Sequence, residues 1–186
     1  MTRSCICLPY FSGAGHTRRL AQAIASGAKG CGTRPIDVTD MTGADWDALD
    51  AADAIVFGAP TYMGSTAAEF DLFLERASDR WEEMRWADKI AAGFTVATHG
   101  SGDKLSALQR MAVYAAQMGM IWVGQAEIGT PVRPGNPGIN RDGSWLGLMA
   151  TSSRDKSRLI GPGDLETARR FGARISSAVH RWNNGT

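Results

Sequence analysis
Along this chain, short apolar runs alternate with longer stretches in which apolar residues recur every three or four positions. Cys5 to Phe11 reads as a buried strand, and Arg18 to Ala28 as a helix with Leu20, Ile24 and Ala28 on one face. Pro35 to Val38 is a short second strand. Asp53 to Gly58 is a third, and its unbroken Ala-Ile-Val-Phe run suits a strand covered on both faces. Thr66 to Ser78 predicts a helix: Thr66 and Glu69 have capping-box spacing, and Phe70, Phe73, Leu74 and Ala77 form its apolar stripe. Ile90 to Thr98 is a fourth strand. A helix from Asp103 to Met118 is expected to carry Leu105, Leu108, Ala112, Ala115 and Met118 inward, and Met120 to Gly124 starts a fifth strand. Residues 129–143 then hold four glycines and three prolines, which predicts a long loop, with Leu146 to Ala150 placed to resume the sheet. The last helix, Asp164 to Trp182, lines up Leu165, Ala168, Gly172, Ile175, Val179 and Trp182.

Strands alternating with helices throughout imply one α/β domain over residues 1–186, a three-layer α/β/α sandwich around a five-stranded parallel sheet of order 2-1-3-4-5. The segment 129–148 interrupts or follows the fifth strand. Composition agrees with a single globular domain: 186 residues, 44% hydrophobic and 21% charged. Twenty Lys plus Arg against nineteen Asp plus Glu leave a net charge of +1, which gives no field for nucleic acid or an anionic membrane. The start of the chain has too short an apolar run for a signal peptide, and no run approaches membrane-spanning length. These features predict a cytoplasmic protein with neither nucleic acid nor membrane as partner. Three cysteines are too few for a disulfide framework and lack zinc spacing; Cys5 and Cys7 read as small hydrophobes on one strand face. Trp81, Trp86 and Trp122 exceed what a domain of this size readily buries, which predicts self-association. Glycine is in surplus, 22 of 186 residues, and the surplus points to functional loops.

In such sheets ligands bind outside the carboxyl ends of the strands, near the reversal of strand order. Three loops meet that description. The first, Phe11 to Thr17, contains Ser12, Gly13, Ala14, Gly15, His16 and Thr17 just before a helix. Small residues let backbone N–H groups converge, the helix terminus adds partial positive charge, and the two hydroxyls can donate. A phosphate fits this description without a cationic clamp; a tight turn with Ser12 as helix cap fits it equally. His16 is either a phosphate donor or a solvated first-turn residue, and Arg18 and Arg19 either attract an anion or form a solvated face. The spacing is neither a Walker loop nor the dinucleotide GxGxxG. The second loop, Pro60, Thr61, Tyr62, Met63 and Gly64, suits the lining of a flat amphipathic ring, or a turn that caps the core. The third, Thr98, His99, Gly100, Ser101, Gly102 and Asp103, is small and polar and leads into a helix.

Tyr10 to Ala28 (YFSGAGHTRRLAQAIASGA) and Gly58 to Glu75 (GAPTYMGSTAAEFDLFLE) resemble the flavodoxin-like NAD(P)H-dependent FMN oxidoreductases, in particular the quinone oxidoreductases of the tryptophan-repressor-binding-protein type. The likeness extends through Gly93 to Gly102 and into Gly161 to Ile175, which is most of the chain. It implies a flavodoxin-like fold and non-covalent FMN, with Ser12 to Thr17 around the phosphate, Pro60 to Gly64 along the isoalloxazine, and Thr98 to Asp103 on the ring's other side. It also implies NAD(P)H as co-substrate, and a homodimer or homotetramer whose second subunit completes the site. Two departures stand out: Ser101 occupies the place of that type's histidine, and residues 129–143 are unlike its usual sequence, with Trp145 either a lid residue or a core or interface aromatic.

The implied reaction is two-electron hydride transfer through flavin N5 from NAD(P)H to a quinone or similar small-molecule acceptor. Tyr62 and His99 are the candidates for ring contact or proton supply, and backbone amides near Gly100 to Gly102 would steady the reduced ring. Arg133 and Arg141 are the candidates for reading a nucleotide 2′-phosphate. A flavodoxin-type electron carrier without its own NAD(P)H oxidation is the main alternative; such carriers are strongly acidic, unlike this chain. A phospho-receiver domain would need acids after strand 1, where Phe11 and Ser12 stand.

Overall fold
The computed structural model describes residues 4–153 and 157–184. In chain order the elements are β1 (Cys5–Tyr10), α1 (His16–Gly27), β2 (Gly32–Asp37), α2 (Gly43–Ala51), β3 (Ala54–Tyr62), β4 (Ser65–Thr66), α3 (Ala68–Arg76), a 3-10 turn (Ala77–Arg80), β5 (Ile90–Ala97), α4 (Lys104–Gln117), β6 (Ile121–Trp122), β7 (Leu148–Thr151) and α5 (Pro162–Asn183). From one edge the sheet runs β2-β1-β3-β5-β6, with β7 also on β5 and β4 folded back on β3.

The expected order 2-1-3-4-5 therefore holds as five lanes, and the fifth lane is split. Ile121 and Trp122 pair with Ile90 and Ala91, whereas Leu148 to Thr151 pair with Phe94 to Ala97. The chain leaves the lane after Trp122, makes its long excursion, and re-enters beside the same strand. Re-entry needs glycine, because a Cβ on Gly147 would stand 2.5 Å from the Gly93 carbonyl oxygen. The fifth strand anticipated as Met120 to Gly124 is thus only two residues long, and its second half comes from sequence after the loop.

Strand alternation sorts the core into two layers. Ala54 and Val56 of β3 join Ile6, Leu8, Phe94, Leu20, Phe171 and Ile175 beneath α1 and α5. Ile55, Phe57 and Ala59 join Cys7, Phe70, Phe73, Leu108 and Met111 beneath α2, α3 and α4. Burial pushes the Cys7 thiol up to about 12, as expected of an inert core residue, whereas Cys5 is only half-buried. Pro9 sits in a central strand at a visible cost to the ladder. The Phe11 N–H donates to the Gly58 carbonyl at 3.0 Å, so odd positions of β1 face β3. Pairing there lapses between Cys7↔Ile55 and Tyr10↔Gly58, where Pro9 has no N–H to give.

Several expectations are corrected. Helix α2 was not anticipated; Thr42 and Asp45 form its capping box. The cap expected at Thr66 and Glu69 is absent: α3 starts after Ala67, and Thr66 lies in β4 with its hydroxyl donating to Asp71 at 2.9 Å. Leu105 is exposed, and Met111 and Tyr114 point inward in α4 beside Leu108, Ala115 and Met118. Trp182 is also exposed, and Phe171 takes the inward place on α5. Trp86 is fully buried, with its indole N–H donating to Asp50 at 2.8 Å, so it gives no argument for self-association; Trp81 is half-exposed.

Candidate functional site
At the carboxyl edge of the sheet β1, β3 and β5 all end, β1 and β5 running through loops into helices and β3 through the short β4 into α3. Between their loops lies a cavity of about 210 Å³. Ser12, Gly13, Ala14, His16 and Thr17 line it from the first loop, Pro60, Thr61 and Tyr62 from the second, and Val96, Ala97 and Thr98 from the third. Ser152, which follows β7, closes the remaining side.

The first loop winds tightly through Gly15, which adopts φ +89 as the N-cap of α1. Ser12 lies outside the helix and is not its N-cap, which is Gly15; its hydroxyl accepts the Arg18 N–H at 3.1 Å, and the residue lines the cavity. The first N–H groups of α1 have no acceptor within the helix. Thr17 is 1% exposed and lines the cavity, and among the described residues no hydrogen bond engages its hydroxyl. Tyr62 leans across this loop: a Cβ on Gly13 would stand 2.7 Å from the Tyr62 hydroxyl. Arg18 is not part of the cavity. Its guanidinium pairs with Asp37 at 3.0 Å and donates to the Tyr10 hydroxyl at 3.2 Å. Burial would raise the Asp37 carboxyl, but hydrogen bonds from Thr39 and Arg18 outweigh it and hold that carboxyl below its ordinary range.

Beneath the cavity the Thr61 and Thr95 hydroxyls share a buried 2.8 Å hydrogen bond between adjacent strands. It locks the register where β3 turns into Tyr62 and Met63. Met63 has φ +48 and stands fully exposed, so it does not line the cavity. Gly15, Gly64, His99, Gly100, Ser101, Gly102 and Asp103 also lie outside its lining. His99 is exposed, while Gly100, Ser101 and Asp103 border a second cavity on the other side of the same loop.

Val96, Ala97 and Ser152 were missed by sequence reasoning. The first two are the last turn of an apolar strand and carry no chemical signal. Ser152 is brought in only because the sheet resumes after the long excursion: its N–H donates to the Ala97 carbonyl at 2.9 Å.

A parallel sheet of order 2-1-3-4-5 with a loop of small residues between its first strand and first helix defines a flavodoxin-like protein. Comparison with known proteins narrows this. The family model for NADPH-dependent FMN reductase matches residues 11–132. Flavodoxin FldP of Pseudomonas aeruginosa is 40% identical over 170 residues, covering 90% of this chain and 92% of its own. Quinone-oxidoreductase QR2 of Triphysaria versicolor is 30% identical over 139 residues, covering 63% of this chain and 67% of its own. The crystal structure of a flavodoxin, WrbA-like protein from Agrobacterium tumefaciens superimposes with a TM-score of 0.76 at 36% identity, over 96% of this chain and 98% of that one. The chain belongs to the NADPH-dependent FMN reductase family: it is a flavodoxin-like oxidoreductase of the FMN- and NAD(P)H-using class.

Among the described residues, no helix is long and apolar enough to cross a membrane.

Proposed function
We propose that this chain holds FMN non-covalently at the three-loop cavity and passes electrons from NAD(P)H to a quinone or similar small acceptor. The observation that carries the reading is the first loop. His16 and Thr17, which open α1, line one small space, the Thr17 hydroxyl is unengaged among the described residues, and Arg18 is tied to Asp37. Such a cradle suits a phosphate held by backbone dipoles. A side chain on Gly13 would collide with the Tyr62 hydroxyl, so the loop keeps its surface bare where a phosphate has to approach.

FMN supplies the two-electron chemistry at its ring when bound. The protein's part is positional. Ser12 to Thr17 would hold the phosphate end, and Pro60 to Gly64 with Thr98 to Asp103 would hold the ring. Tyr62, 48% exposed, can both contact the ring and hold a proton at its hydroxyl. His99 is exposed on the opposite loop, where it can exchange protons with solvent. The fully exposed Met63 beside Tyr62 leaves an apolar lip at the mouth, and a homodimer or homotetramer would cover it.

The flavodoxin name of the relative from Pseudomonas aeruginosa favours a second reading, an electron carrier that another protein must reduce. One experiment separates them: mix FMN-loaded protein with NADH or NADPH under anaerobic conditions and follow the flavin absorbance. Fast, complete bleaching without an added reductase is expected. A flavin that stays oxidised while an added reductase bleaches it would give the carrier the case, and a protein that takes up no FMN would end both readings.

A further inference from the structure
Between α4 and the chain that re-enters the sheet lies a second cavity, of about 880 Å³, within the size range of small-molecule sites. Both cavities border the β5–α4 loop and the β7 region. The β5–α4 loop gives Thr98 to one cavity and Gly100 and Ser101 to the other, and the β7 region gives Ser152 to one and Met149 to the other. Trp145, Leu105, Leu146 and Met149 provide apolar walls, and Ser106 and Gln109 provide hydrogen-bonding groups.

The indole of Trp145 is 55% exposed, but the backbone beneath it is fixed. The Trp145 carbonyl accepts the Gln125 N–H at 2.9 Å, the Ser144 N–H donates to Asn140 Oδ1 at 3.1 Å, and the Leu146 carbonyl accepts the Trp122 indole N–H at 2.7 Å. An aromatic ring presented on an immobilised backbone loses little freedom when something stacks on it. The charges say what that partner is. Lys104 is fully buried against Asp142, and Arg141 is engaged by Asp164 at 3.3 Å and Asp142 at 3.8 Å. Asp103 adds a carboxylate to the lining, so the wall's two cations are matched by Asp103 and Asp142, half-exposed Arg141 is paired with Asp164 besides, and the cavity offers no net positive charge to an incoming anion.

We propose that this cavity binds an uncharged planar aromatic molecule stacked on Trp145, and that during turnover this molecule is the electron acceptor. The second half rests on the function proposed above; the binding site itself does not. The segment around Trp145 then selects the acceptor: neutral quinones enter, and sulfonated or carboxylated ones are disfavoured.

The test uses FMN-saturated protein and two redox-inert probes, 1-naphthamide and 1-naphthoate, with the indole N–H signals followed by NMR. The Trp145 signal, assigned by its loss in Trp145→Ala, is expected to shift with naphthamide. Naphthamide should bind about tenfold more tightly than naphthoate, and Trp145→Ala should lose about tenfold, while Trp145→Phe retains most of the affinity. Shifts confined to other indoles, or naphthoate binding as tightly as naphthamide, would overturn the site. In the second arm, Trp145→Ala should lower kcat/KM for 1,4-naphthoquinone about tenfold, and wild type should favour that quinone over its 2-sulfonate by a similar factor. Unchanged kcat/KM in the variant would overturn the acceptor role. Wild-type flavin bleaching by NAD(P)H is recorded separately, so its failure sinks the proposed function while the NMR arm still decides the site.

Discussion

Lys104 offers the sharpest test of how the long excursion is held in place. Its side chain is fully buried at the start of α4, and its ammonium donates to Asp142, to the Ala150 carbonyl at 3.1 Å and to the Thr151 hydroxyl at 3.0 Å. One cation thus ties the tip of the excursion (Asp142) to the strand that follows it (β7). Lys104→Met keeps the length and removes the charge. It leaves the Asp142 carboxylate, 7% exposed, with the Thr151 hydroxyl at 2.9 Å and only a distant Arg141 at 3.8 Å. Breaking a buried pair costs about 3–5 kcal/mol, and the residual partners of Asp142 place this case near 3. At about 2–4 °C per kcal/mol for a domain of this size, the melting temperature should fall by roughly 6–12 °C. The measurement is urea unfolding at a fixed FMN concentration, since bound cofactor adds its own stabilisation. Lys104→Met/Asp142→Leu should recover at least half of the loss, because the isolated buried charge is then gone. A single variant that loses less than about 1 kcal/mol, or a double variant no better than the sum of its parts, would refute the assignment of this pair as the pin.

Two further outcomes follow from the same region and from the first loop. Burial raises the Asp164 carboxyl above its ordinary value, against the Thr151 N–H and Arg141 that lower it. A raised folded-state value means no penalty below the unfolded value and a full penalty above the folded one. Asp164→Asn should therefore gain stability relative to wild type as the pH rises from about 4 toward neutrality, the unfolded carboxyl titrating near ~3.9; a gain that shrinks over that range in urea titrations would contradict the sign. Gly15→Val places a branched residue at φ +89, with Leu159 Cδ1 3.3 Å from the new Cβ. It should cost about 1–2 kcal/mol of stability and, beyond that, weaken FMN binding severalfold, and unchanged FMN affinity by fluorescence titration would remove the phosphate from this loop.

What was legible in the sequence follows period. Strands buried on both faces, such as Ala54 to Phe57, announce themselves as continuous apolar runs, and α1 and α3 by a stripe every three or four residues. Helix α2 escaped because its nine residues bury only Leu49 completely, leaving no stripe to read. Leu105 misled for a related reason: it keeps helical spacing with Leu108, but it lies in the first turn of α4, directly after the β5–α4 loop, where the helix end borders the second cavity instead of the core. The three loops were legible because loops of small residues before helices are a local feature. Ser152 was not, because its place depends on where the chain returns to the sheet.

Lys104 marks the far limit of such reading. At the head of a helix that begins Lys-Leu-Ser-Ala-Leu, a lysine reads as a solvated first-turn residue. Its burial is set by an aspartate 38 positions away, at the tip of a glycine- and proline-rich excursion with almost no apolar content of its own. A segment that cannot bury an apolar face has to be held by polar contacts, and Asn140, Asp142 and Ser144 supply them. Each satisfies backbone or charge that the excursion would otherwise leave uncovered. The loop composition that disguised the segment as a linker is thus the same composition that gives it a fixed shape, and the fixed shape is what lets Trp145 stand exposed.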